Sequence, residues 1–88
     1  VAVRLRVAAA DAGMLLRIAD AQLLAEPVVE ERPGALDQVE VTATFRALPA
    51  ARAVLLGLGR LVLVLEPPEL VADLVATARD VLATYEPG

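Results

Sequence analysis

Val1, Val3, Leu5 and Val7 alternate with Ala2, Arg4 and Arg6, the period-2 pattern of a strand with one buried and one charged face. After three alanines the period changes. Asp11 stands where a helix N-cap would, and Ala12, Leu15, Leu16 and Ala19 follow at the i, i+3, i+4, i+7 spacing of a short amphipathic helix. Gly13 weakens that helix by about 0.8–1 kcal/mol relative to Ala. In "LLAEPVVEER", Pro27 cannot donate a ladder hydrogen bond, so the segment reads as an edge strand with Val28 and Val29 as its paired residues. Pro33, Gly34 and Asp37 supply turn chemistry. From Val39 the alternation returns, with Val41, Ala43 and Phe45 facing inward and Glu40, Thr42, Thr44 and Arg46 outward.

Pro49 suits a first helical turn, and Ala51, Val54, Leu55 and Leu58 keep helical spacing until Gly57 and Gly59 end the helix. A strand from Arg60 to Leu65 comes next. Pro67 and Pro68 stop it, and the second opens a helix that Glu69 supports through its charge near the N-terminal dipole. Leu70, Leu74, Ala78, Val81, Leu82 and Tyr85 form one stripe of that helix, with Val71 and Val75 beside it. The order is β-α-β-β-α-β plus a terminal helix, and the two strand-helix-strand halves echo each other. This predicts an α+β fold: a ferredoxin-like sandwich whose four-stranded antiparallel sheet has the first and third strands in the middle and two helices on one face.

The chain of 88 residues allows one domain, residues 1–88, and buries only about 60–65% of its unfolded surface. Composition narrows its chemistry. It has no Cys and no His, all eight basic residues are Arg, and Ser, Lys and Asn are absent too, so the usual nucleophiles and bases are missing. We therefore expect no enzyme and no cofactor. Paired acids such as Glu30 with Glu31, or Glu66 with Glu69, have no nitrogen ligand to help them hold a metal, and neighbouring strand residues point to opposite faces. A net charge of −4 argues against a general duplex-DNA binder, whose affinity rests on clustered positive charge. "LVLVL" is far shorter than the roughly 20 apolar residues of a membrane span, and a chain without Cys suits the reducing cytoplasm. Lacking an initiator Met, the sequence reads as a piece of a longer protein.

Two surfaces could carry function. Arg4, Arg6 and Arg46 lie on the outward face of the central strands, where guanidinium groups could meet nucleic-acid phosphates. The heavier reading there is a solvated face with weak cross-strand ion pairs to Glu40. An RNA-recognition sheet is disfavoured, because the only Phe points inward. The other surface is the last strand, in which Leu61, Leu63 and Leu65 alternate with Val62 and Val64 and no polar face remains; such strands are covered on both sides. With Val71 and Val75 widening the helix stripe, Leu61, Val62, Leu63, Val64, Val71 and Val75 are candidates for an interface, a homodimeric one, against the alternative of an intrachain core.

"VAVRLRVAAADAGMLL", "VEVTATFRALPAARAVLLGLG" and "RLVLVLEPPELVADLVATARDVLATY" resemble the C-terminal extension, WCX, of WYL-domain transcriptional regulators. The similarity covers nearly the whole chain and is most specific at Gly59, "VLEPPEL" and Tyr85. It implies a ferredoxin-like module that ends a bacterial regulator, with DNA bound through a separate winged helix-turn-helix domain and an effector sensed by a WYL domain. In some relatives that effector is single-stranded nucleic acid. The module itself is expected to be regulatory, to contribute to dimerisation and to have no contact with membranes. The chain departs from the usual pattern in lacking an aromatic residue at "ARAVLL" and an Asp-Gly hairpin turn. An ACT-type small-molecule-binding module of a metabolic enzyme is the alternative, disfavoured by "AAAD" where such modules carry a Gly after the first strand.

Overall fold

The computed structural model describes residues 1–32 and 34–86. Its element order is β1 (Ala2–Ala8), α1 (Ala12–Ala19), β2 (Val28–Arg32), β3 (Ala35–Thr44), α2 (Leu48–Leu58), β4 (Val62–Glu66) and α3 (Pro68–Tyr85), with short 3₁₀ turns at Ala9–Asp11, Asp20–Gln22 and Gly59–Leu61. The four strands form one antiparallel sheet in the order β2-β3-β1-β4. β1 and β3 pair in unbroken register from Ala2 opposite Thr44 to Ala8 opposite Gln38. That register puts Val3, Leu5 and Val7 beside Ala43, Val41 and Val39, all buried on one face. The two alternating runs are therefore the paired centre of the sheet.

The buried face packs on Leu15 and Ala19 of α1, Ala51, Leu55 and Leu58 of α2, and Leu70 of α3. Phe45, just past β3, is fully buried and closes one end of the sheet. Its N–H donates to the Val1 carbonyl and the Val1 amino group donates to its carbonyl, each at 2.8 Å, while its backbone bridges to Leu23. The expected inward and outward positions of β1 and β3 are borne out, as is the edge position of Val28 and Val29.

Several local expectations are corrected. Asp37 is not a turn residue. It lies inside β3, which starts at Ala35: Arg32 pairs with Ala35, Gly34 has φ 76°, and the β2–β3 register shifts between Glu31 and Arg32. Pro33 lies outside the described residues. Asp11 makes no side-chain cap bond, because the 3₁₀ turn Ala9–Asp11 already leads the backbone into α1. Gly57 continues α2, and Gly59 alone ends it, at φ 55°. Arg60 and Leu61 belong to the 3₁₀ turn, so the last strand starts at Val62.

The terminal helix is the main difference from the sequence pattern. Pro67 occupies its N-cap position and Pro68 opens it, as expected. Only Leu70 is buried, with Leu74 partly so; Val81, Leu82 and Tyr85 are exposed, Tyr85 at 81%. An 18-residue helix runs for about 27 Å at 1.5 Å per residue. The small core ends under its first turns, so the rest of the stripe finds no core to pack on among the described residues.

Candidate functional site

The outward sheet face is charged but internally compensated. Glu40 on β3 lies between Arg4 and Arg6 of β1, 3.6 Å from each guanidinium, and reaches Arg32 of β2 at 4.0 Å. Arg4 also donates to Glu66 at 2.7 Å, across the β1–β4 pair. The Glu66 carboxylate, and more weakly Glu40, raises the Arg4 pKa above its ordinary value. A raised guanidinium contributes its stabilisation in full below its unfolded pKa, so Arg4 stays charged and paired throughout the neutral range. Arg32 in turn donates to the Gln38 side chain at 2.9 Å. Among the described residues Arg6 Nε is buried without a hydrogen-bond partner, and the Arg6 guanidinium pairs with Glu40.

Arg46 does not join this network. It lies beyond β3, where its Nε donates to the Ala21 carbonyl at 3.2 Å and its backbone N–H to Gln22. The structure therefore brings Arg4 and Arg6 together and holds Arg46 against the turn after α1. Sequence reading missed Arg32 as the third guanidinium and Glu66 as the partner of Arg4. Arg32 could have been found by following the outward positions of β2, whereas the Arg4–Glu66 contact depends on a bulge. Arg4 faces Glu66 while Leu5 faces Val64, which leaves Leu65 as the extra residue.

The apolar surface is at the other edge of the sheet. Val62 and Val64 lie beside Val7 and Leu5 and turn towards the helices. With Leu55 and Leu56 of α2 and Val71, Leu74, Val75 and Ala78 of α3 they line a groove of about 310 Å³, at whose rim stands Leu63. Arg52 of α2 donates to Asp73 of α3 at 2.7 Å and links the two helices. The terminal helix thus covers the same sheet face as the other two helices. It leaves Leu61, Leu63 and Val75 exposed, Leu63 at 55%, and the exposed side chains of Val81 and Leu82 continue along α3. Five of the six interface candidates, Val62, Leu63, Val64, Val71 and Val75, meet at this groove, and Leu61 adjoins them on the turn into β4.

Among the described residues no group of three acids is placed to hold a metal ion, and no helix is long and apolar enough to cross a membrane. The module thus carries a charged face on which three guanidiniums share Glu40 and Glu66, and an apolar groove at the flank of β4 and α3. The profile of the WCX domain family matches residues 1–82, and the chain belongs to that family, whose members stand at the C-terminus of WYL-type transcriptional regulators. Such domains are generally non-catalytic, and the match favours this reading over the ACT-type alternative. No significant match was found among curated proteins or among solved structures.

Proposed function

We propose that this module is a regulatory and dimerisation domain of a DNA-binding regulator, and that two copies associate through the flank formed by β4 and α3. The observation that carries the reading is the groove between β4 and α3, with Leu63 and Val75 exposed at it, Leu61 exposed on the turn before it and Val81 and Leu82 exposed further along α3. Exposed apolar side chains that adjoin in this way mark interaction surfaces. DNA contact then belongs to other domains of the full-length protein. A direct role for Arg4 and Arg6 in gripping a nucleic-acid effector has less support, because each already faces Glu40 and phosphate would have to displace that carboxylate. Arg46 could act only separately, from beyond the C-terminal end of β3, where it is bonded to the Ala21 carbonyl. The sheet order, with a helix following each central strand, also supports a ferredoxin-like description of the fold.

Sedimentation velocity over a concentration series tests the proposal. The chain is expected to move from monomer to dimer as concentration rises into the high micromolar range. Leu63→Lys, which adds a charge at an exposed position, is expected to keep the fold and stay monomeric. A wild-type chain that remains monomeric throughout would overturn the reading.

A further inference from the structure

Resting on the self-association proposed above, we infer that two copies join edge to edge, β4 against β4, antiparallel about a two-fold axis at Leu63. The sheet has two edges of opposite character. On β2, Glu30, Glu31 and Arg32 follow Pro27, the charge-and-proline protection that keeps a strand edge from pairing with another chain. From Leu61, in the turn before β4, to Leu65 no charge intervenes. Among the described residues, the backbone of this stretch bonds to no strand but β1, leaving the far edge of β4 open.

The sequence of that edge is complementary to itself. Residues 60 to 66 read Arg-Leu-Val-Leu-Val-Leu-Glu, a pattern symmetric about Leu63 in its apolar positions and opposite in charge at its two ends. Pairing centred on Leu63 places Val62 opposite Val64 of the partner subunit as regular strand, and brings the 3₁₀ turn that carries Leu61 and Arg60 alongside Leu65 and Glu66 of the partner subunit. A two-fold axis repeats each contact, as a self-complementary interface requires. Glu66 is exposed and could accept a second guanidinium beside Arg4, while Arg60 is exposed and has no ion pair among the described residues. The bulge at Leu65 lies outside Val62–Val64, so the centre of the pairing is regular strand. Centring on Val64 instead would set Glu66 opposite Val62 and leave Arg60 without its counterpart. The charges therefore select the register.

Because the chain has no Cys, a single introduced thiol reports the geometry. Residues directly opposite across an antiparallel pair have Cα atoms about 4.5–5.5 Å apart, within the range a disulfide accepts. Leu63→Cys, Val28→Cys on the opposite edge and Val75→Cys on α3 would each be oxidised with diamide and run on a non-reducing gel. Positions 63 and 28 are similarly exposed, at 55% and 52%. The expected result is a covalent dimer from Leu63→Cys at least tenfold in excess of that from Val28→Cys, reduced several-fold by adding Arg60→Glu. If the wild-type chain sediments as a dimer but only Val75→Cys cross-links, the edge pairing is wrong and the self-association stands. If it sediments as a monomer and position 63 cross-links no better than position 28, both are wrong.

Discussion

Phe45→Ala is expected to cost about 3–5 kcal/mol, the range for truncating a fully buried aromatic side chain. Phe45 is the largest side chain in the core with no exposure, and its backbone is bonded to both the start of β1 and the segment after α1. The truncation leaves a cavity where the two central strands meet the helices. Domains of this size have a total stability at the low end of about 5–15 kcal/mol, so the variant should be substantially unfolded at physiological temperature. Urea unfolding followed by circular dichroism checks this, with Phe45→Leu expected to retain most of the lost stability because it keeps more of the volume.

Leu70→Ala should be the second most damaging change, at about 2–5 kcal/mol. Leu70 is the only buried residue of α3 and anchors the helix in the cluster formed by β1, β3 and α2. Its neighbours on the same stripe behave differently. Leu82 is exposed, so Leu82→Ala should fall within about 0.5 kcal/mol of wild type in dilute solution, as ordinary surface substitutions do. Paired urea titrations at low protein concentration make the comparison. The contrast separates the part of the helix that stabilises the single chain from the part that does not.

That contrast is also where the sequence pattern stops being informative. The strands were legible because period-2 alternation maps directly onto one buried face, as at Val3, Leu5 and Val7 beside Val39, Val41 and Ala43. Helical periodicity in α3 shows an apolar stripe but not what covers it, so Leu82 and Leu70 look alike in sequence while only Leu70 meets the core. Turn boundaries were less legible for a different reason. Asp37 has turn propensity, yet it lies within β3, because Arg32 already pairs with Ala35 and the chain has reversed before it. At the charged face, the Glu40 pairing followed from adjacent strands, whereas the link from Arg4 to Glu66 depended on a register shift that no residue pattern signals.

We propose that the flank of β4 and α3, and not the arginine face, is where this module meets another copy of itself. Amide hydrogen exchange followed by mass spectrometry at low and at high protein concentration tests that claim most directly, because it reports both association and its place. Protection is expected to rise with concentration in peptides covering Leu61 to Glu66 and the exposed half of α3, while β2 and α1 exchange at unchanged rates. Exchange independent of concentration, or a rise confined to β2 and α1, would contradict it.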